Sequence, residues 1–384
     1  MAKHAKLRMG MVGGGPGSFI GPVHRIAAEL DGKIELVAGA FSQSAERSKE
    51  AGANFGIDPA RAYAGFQEML DAEKKRPDGI DFVVIATPNN MHLPEAIAAM
   101  EAGIPVMSDK PATATYDEVL KLEAAVKKSG LPYGLTHTYA GYGMVREARA
   151  LCASGRLGAI RKVAVEYFQG WLTKPVEATE AYNKKQAEWR TDPARSGPGG
   201  CIGDIGTHAF HLLEYVTGIP VTAINATLRT VVPGRRLDDD FNAFVRMGNG
   251  AAGTLAASQI AVGELNDMHI RIYGEKGGLS WRHLDGNRLM VRWVEGPEEI
   301  WHAATQYLSP MARSVFRVPV GHPEGYLEAF AVLYREFAEG LIAWKRGEKN
   351  PLPATLPGIE AAVRGMRYIE RTIESDRTAG WVEF

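Results

Sequence analysis

A chain of 384 residues with 44 basic and 45 acidic side chains carries a formal net charge of −1, so no global field is present to hold nucleic acid or an anionic membrane. The length exceeds the roughly 250 to 300 residues that one hydrophobic core ordinarily serves, which predicts two domains. Two cysteines, Cys152 and Cys201, are too few for a disulfide framework and lack metal-ligand spacing, which fits a reducing cytoplasm.

Near the N-terminus the apolar run is short and broken by glycine, which argues against a signal peptide, and no stretch approaches the roughly 20 apolar residues of a bilayer span. Strand patterns at 7–12, 34–40, 81–87, 106–108 and 133–135 alternate with helical patterns at 22–30, 44–53, 65–75, 94–102 and 115–129. This grammar predicts a doubly wound parallel sheet, an α/β dinucleotide-binding domain over residues 1–138. After a helix at 142–154 the strands follow one another, at 160–169, 221–232, 240–247, 251–260, 267–273, 278–283 and 288–294. Turn sequences "GNG", "GEKGG" and "DGN" join several of them, as antiparallel hairpins require. The second domain, 139–384, is therefore expected to be α+β, with an open-faced, mostly antiparallel sheet. The polar stretch 172–199, rich in Pro and Gly, reads as a functional loop, and helices at 324–345 and 357–373 close the chain.

The first strand ends in "MVGGGPGSFIG", where Gly13, Gly15 and Ser18 occupy the three positions of a dinucleotide fingerprint, with serine in the last. Glycine permits a tight turn and close backbone approach, and the following helix start offers free N–H groups to a pyrophosphate. The extra "FIG" is expected to lengthen the loop beside the phosphates. After the second strand, where NAD-preferring proteins place an acid, stand Ser42, Ser44 and Arg47. Hydroxyls and a guanidinium can donate to a 2′-phosphate, so NADP is the preferred cofactor and NAD the alternative; the competing reading makes Ser44 a helix cap and Arg47 a surface charge. At two further strand ends lie Thr87, Pro88, Asn89 and His92 in "ATPNNMH", and Asp109 and Lys110 in "SDKPAT", on the edge where such sheets bind ligands. Later, "GCIGDIGTHAFHL" sets Asp204 and His208 one helical turn apart, facing one way on an otherwise apolar segment.

The Asp-Lys-Pro tripeptide, the strand-end Thr-Pro-Asn and "WRTDPARSGPGGCIGDIGTHAFHL" together resemble the glucose-fructose oxidoreductase / inositol dehydrogenase / rhizopine catabolism family over essentially the full length. The resemblance implies a Rossmann domain followed by an open-faced sheet domain, acting on sugars, inositols or related polyols with NAD or NADP. The family's usual Glu-Lys-Pro stands here as Asp109-Lys110-Pro111. Carried over, Lys110 holds and polarises the reacting oxygen, Asp204 and His208 act at the substrate, and Trp189 and Arg190 approach the nicotinamide end of the cofactor.

That assignment gives the buried polar pair a chemical purpose. Histidine titrates near neutral pH, so His208 can take the hydroxyl proton in one direction and return it in the other, for roughly 10² to 10⁴ in rate. Lys110 would stabilise the developing alkoxide, and Asp204 would hold a sugar hydroxyl or orient the imidazole. Three plainer readings stay open: Asp204 as a cap, His208 as a satisfied core residue, or a metal site with His211, for which further ligands are lacking, so no metal is expected. Trp189, His137, Tyr139 and His322 are further substrate-pocket candidates, with Glu324 and Tyr326 near the last. The expected protein is a cytoplasmic, NADP-preferring oxidoreductase of a cyclic sugar or polyol, a homo-oligomer through its bare sheet face. The alternatives are a sugar lyase or glycosidase working by transient oxidation, and a non-catalytic NADP or sugar sensor.

Overall fold

A computed structural model describes residues 6–181, 183–349 and 351–384. The chain forms two compact units, one running to His137 and including Phe330–Val363, the other comprising Thr138–Ala329 and Arg364–Phe384.

In the first unit β1 (Leu7–Gly13), α1 (Ile20–Glu29), β2 (Ile34–Ala40), α2 (Ala45–Phe55), α3 (Phe66–Glu73), β3 (Phe82–Ala86), α4 (Asn89–Glu101), β4 (Val106–Ser108), α5 (Tyr116–Ser129) and β5 (Tyr133–Leu135) follow one another. The strands form a parallel five-stranded sheet in the order β2-β1-β3-β4-β5. Beyond β2, Gly39 makes a parallel bridge with Ala62 and accepts a 2.8 Å hydrogen bond from the Tyr63 N–H, a rudimentary further strand. Counted with it, the order is that of a dinucleotide-binding sheet, with the reversal between β1 and β3. β3 is buried along its whole length, as a strand covered on both faces must be. α5 opens with a reciprocal capping box of Thr115 and Glu118 and stops at Gly130 in the left-handed conformation.

α4 starts five residues earlier than the sequence pattern indicates. Pro88, with ψ at 150°, supplies the extended residue before the helix, and Pro94 falls inside it rather than opening it. The early turn is held by burial of Asn89 and His92, which a proline-led reading overlooks.

The second unit contains α6 (Gly143–Ala153), β6 (Ile160–Phe168), α7 (Lys184–Arg190), α8 (Pro193–Ser196), α9 (Thr207–Thr217), β7 (Val221–Arg229), β8 (Asp240–Met247), β9 (Ala252–Ser258), β10 (Asp267–Gly274), β11 (Gly277–Arg282), β12 (Arg288–Trp293), β13 (Glu298–His302) and α10 (Pro310–Arg313). The chain then continues through α11 (Tyr326–Lys345), α12 (Ile359–Thr378) and β14 (Val382–Glu383). The nine-stranded sheet runs β13-β12-β11-β10-β6-β9-β8-β7-β14; its strand pairs are antiparallel apart from β6 with β9. β13 and β14, which the sequence pattern does not reveal, form its edges; one is rich in glutamate and the other two residues long. On β8, Phe241, Ala243, Val245 and Met247 point into the core, while Asn242, Phe244 and Arg246 face out.

The described residues of 172–199, a segment expected as a loop, are locally ordered. Leu172, Val176 and Ala187 form a small apolar cluster with Trp171, and the segment holds α7, α8 and a short 3₁₀ turn at Val176–Ala178. Arg235 pins it: the buried guanidinium donates to the Leu172 carbonyl (3.0 Å), the Lys174 carbonyl (3.2 Å), Glu177 (3.0 and 3.2 Å) and Asp239 (3.1 Å). Among the described residues no helix is long and apolar enough to cross a membrane.

Removing Arg235 leaves the fully buried Asp239 carboxylate with the Val231 and Val232 amides but without its countercharge. An Arg235→Met variant is expected to lose about 3 to 5 kcal/mol in denaturant unfolding and to be cut by trypsin within 172–199 under native conditions, where the parent resists.

Candidate active site

In the first unit the end of β1 is built for close approach. Gly13 has φ of +81°, and a Cβ there would lie 2.5 Å from the Ala86 carbonyl oxygen and 2.8 Å from the Thr87 nitrogen. A Cβ on Gly15 would collide with the Phe41 carbonyl oxygen. The third close contact belongs to Gly21, whose Cβ would strike the Gly14 backbone, and not to Ser18. Ser18 instead accepts a 3.3 Å hydrogen bond from the Gly21 N–H. With the third glycine contact at Gly21, six residues after Gly15 where the fingerprint has three, the insertion lengthens the turn, which ends as α1 begins at Ile20. The first turn of α1 carries no acidic residue. A glycine-lined turn running into a helix start free of negative charge fits a dinucleotide pyrophosphate.

At the end of β2, Ser44 caps α2. Its Oγ accepts from the Arg47 N–H (3.4 Å) and its N–H donates to the Ser42 Oγ (3.3 Å), while the Arg47 side chain is exposed.

The ends of β3 and β4 are tied together below the surface. Thr87 Oγ1 donates to Glu95 Oε2 at 2.7 Å, so its hydroxyl is engaged inward. Burial pushes the Glu95 carboxyl up to about 8, against the opposing pull of the Thr87 bond. His92, expected at the cofactor, is buried, with Nε2 2.8 Å from the Thr87 carbonyl oxygen and Nδ1 2.8 Å from that of Pro111. Asn89 is buried as well, and Lys110 is half-buried, followed by a cis peptide to Pro111. Asp109 Oδ1 accepts from the Lys110 N–H (2.9 Å) and Thr136 Oγ1 (2.7 Å). Its Oδ2 lies 3.9 Å from His24 Nε2, and His24 Nδ1 lies 2.6 Å from the Tyr334 hydroxyl. Burial would raise the Asp109 carboxyl, but His24, Lys110 and Thr136 outweigh it and hold the group well below the usual carboxylate range. His137 is buried at the end of this unit, its N–H donating to the Leu135 carbonyl at 2.9 Å.

In the second unit Asp204 and His208 stand out by exposure: from 199 to 210 every other residue is buried. The local structure differs from the expected regular helix, because Ile202–Gly206 forms a π-helical turn that runs into α9. Such wide turns inside helices recur at functional sites. Gly206 has no side chain to displace the Tyr368 hydroxyl, which would lie 2.6 Å from a Cβ there. Asp238 holds the start of the segment, accepting from the N–H groups of Gly200 (2.6 Å) and Ile202 (2.8 Å).

The Asp204 carboxylate is fixed at both oxygens, by Arg190 Nε (3.4 Å) and by Gln259 Nε2 (2.8 Å). Arg190 also lies 4.2 Å over the Trp189 ring, so these two residues, expected near the cofactor, reach Asp204 as a unit. Tyr139 stands edge-on to His208 at 5.1 Å, and Tyr167 is tilted against it at 6.0 Å. The two phenols share a 2.6 Å hydrogen bond and converge on Asn266. Burial raises the Tyr139 phenol to about 12, so it acts here as a neutral support for the imidazole. His211 stacks on Tyr215, and burial together with Arg149 lowers it to about 3, a structural role. His322 is exposed, with Nδ1 3.2 Å from the Pro319 carbonyl oxygen of its own turn, while Glu324 accepts from the Val318 N–H at 3.0 Å. Among the described residues no group of three or more His, Cys, Asp or Glu side chains is placed to hold a metal ion. Sequence reasoning missed Gln259, Tyr167, Asn266, Asp238 and His24; Gly21 alone left a visible signal.

Comparison with known proteins agrees with this layout. Residues 7–137 match the oxidoreductase family with an NAD-binding Rossmann fold, and residues 145–280 match the GFO/IDH/MocA C-terminal domain. Oxidoreductase YfiI of Bacillus subtilis (strain 168) is 35% identical, over 98% of this chain and 97% of the relative. Levoglucosan dehydrogenase of Pseudarthrobacter phenanthrenivorans is 26% identical, over 87% and 90%. An inositol dehydrogenase homolog from Azotobacter vinelandii, solved with NADH and myo-inositol, superposes with a TM-score of 0.91 at 35% identity, over 99% of this chain and 98% of that one.

Glu95 offers a test of the packing beneath Thr87. A carboxyl raised from 4.5 to about 8 contributes stability that is complete below the unfolded value and lost as pH rises toward 8. In a Glu95→Gln variant the melting temperature is expected to gain on the parent steadily between pH 5 and 8; parallel curves would show that the carboxyl is not buried protonated.

Proposed function

The chain belongs to the GFO/IDH/MocA family of NAD-binding oxidoreductases, and on that premise we propose that it moves a hydride between a nicotinamide cofactor and a secondary alcohol or ketone of a cyclic sugar, sugar derivative or polyol. The observation that carries the reading is the partial exposure of Asp204 and His208 on a segment otherwise buried. A relative solved with NADH and myo-inositol and a relative named for levoglucosan support the substrate class.

A bound nicotinamide supplies the hydride acceptor or donor. Gly13, Gly15 and the start of α1 would hold the pyrophosphate. His208 takes the proton of the reacting hydroxyl and returns it in the reverse direction, its ring steadied by Tyr139 and Tyr167. Lys110 stabilises the oxygen as negative charge develops on it. Asp204, held by Arg190 and Gln259, accepts a hydrogen bond from a neighbouring substrate hydroxyl. From Phe41 to Ala45, at the end of β2, there is no carboxylate to repel a 2′-phosphate, which supports NADP alongside NAD. Exposed Phe244 on the outer face of β8 supports self-association through that sheet.

The deciding experiment is a screen of polyols, aldoses and glycosides with NAD and NADP in parallel, read by nicotinamide absorbance. Substrate that disappears with no net absorbance change would overturn the reading in favour of a lyase. With a substrate in hand, Lys110→Ala is expected to lower kcat by about 10²- to 10³-fold, and His208→Asn by about 10²- to 10⁴-fold. Ser42→Asp should shift the kcat/KM ratio toward NAD by roughly ten- to a hundredfold; an unchanged ratio would remove Ser42 from cofactor selection.

A further inference from the structure

His92 has an arrangement that a neutral imidazole cannot satisfy. Both ring nitrogens lie 2.8 Å from carbonyl oxygens, Nε2 from Thr87 and Nδ1 from Pro111. Carbonyls only accept, and a neutral ring donates from one nitrogen while presenting a lone pair from the other. A lone pair set against an oxygen at that separation is repelled; an imidazolium donates to both. The two carbonyls belong to different loops, one following β3 and the other following Lys110 after β4.

We propose that His92 is a cationic latch, an imidazolium that clamps the loop after β3 to the loop carrying Lys110 and so fixes where the lysine stands. It is a positioning residue, and its effect on catalysis rests on the reading that Lys110 acts at the reacting oxygen. The charged and titratable groups around it are Asp109 on the β4–α5 loop, His24 on α1 and Glu95 on its own helix. Burial is the strongest influence and, with His24 adding to it, lowers the imidazole below its ordinary value despite the opposing pull of Asp109 and the two carbonyls. Against that stands the hydrogen-bond geometry, two accepting carbonyls at 2.8 Å, which the cation alone satisfies on both sides. A half-buried, ionised Asp109 supplies the compensating negative charge, which a buried cation requires. The latch also explains why His92 is turned inward rather than toward a ligand: both of its polar atoms are consumed in holding the crevice edge together.

Nitrogen-15 NMR of the histidine-labelled full chain tests the charge without recourse to activity. At pH 7 one ring should show two protonated nitrogens, and that signal should vanish in His92→Gln. Asp109→Asn leaves the ring in place and should convert the same signal to one protonated and one lone-pair nitrogen, which serves if the glutamine variant does not fold. A His92 ring with one lone-pair nitrogen throughout pH 6 to 8 in the parent would overturn the proposal. In turnover, His92→Gln can donate to only one carbonyl and should lower kcat by about ten- to a hundredfold when assayed below its own, reduced, melting temperature. A kcat unchanged in a folded variant would likewise sink the latch. If Lys110→Ala proves fully active, the catalytic reading fails while the NMR result still judges the charge on His92.

Discussion

The segment that carries Asp204 and His208 depends on one buried carboxylate held by main-chain amides. Asp238 accepts from the amides of Gly200 and Ile202, and its own carbonyl accepts from Cys201, so three successive N–H groups at the head of the segment end on one residue. Amides at a helix start lack internal partners, and in a buried setting each must find one or carry a penalty. Burial raises the Asp238 carboxyl to about 6 against the opposing pull of those amides, so the anchor is held close to its limit. With the head fixed, the wide turn at Ile202–Gly206 can form, Tyr368 can approach Gly206, and Asp204 and His208 come out on the side where Gln259 and Tyr139 meet them.

The first unit is governed by exclusion of side chains rather than by a charge. Gly13, Gly15 and Gly21 stand where backbone from β3, from the end of β2 and from the turn itself leaves no room for a Cβ. Their combined effect is to bring the ends of β1 and β3 together at the reversal in strand order. Below that edge Glu95 takes up the Thr87 hydroxyl and Asp109 organises Lys110, Thr136 and His24. The polar side chains of these loops thus mostly brace one another, and the surface offered to a cofactor is largely main chain.

Legibility in the sequence follows the range of the interaction. Strands such as Ile34–Ala40, Val106–Ser108 and Asp240–Met247 could be bounded from their own residues, because burial on both faces or alternation is a local pattern. The capping box at Thr115 and Glu118 is equally local. What stayed hidden needed partners far along the chain: Gln259 is 55 residues from Asp204, and Asp238 is 36 from Ile202. The π-helical turn was illegible for the same reason, since no residue preference encodes it and its support comes from Asp238 and Tyr368. The sequence brought out Lys110, Asp204 and His208 together with Asp109, Tyr139 and Arg190 beside them, but not Gln259, Tyr167 or Asn266. His92 was visible as a motif residue, yet its inward direction came only from the carbonyls around it. Ser44 allowed two readings in the sequence, and the structure engages its Oγ with the Arg47 amide.

The pairing of β6 with β9 gives the second unit a long central connection. Parallel neighbours cannot be joined by a hairpin, so everything from Gln169 to Ala251 must be threaded out and back before this central seam closes. That excursion contains the Arg235 anchor, the π-helical turn, Asp204 and His208. Closing so long a loop costs chain entropy that the strand pairing must offset. The segment that carries Asp204 and His208 thus lies on the connection between the two central strands and is tethered at both ends by their pairing.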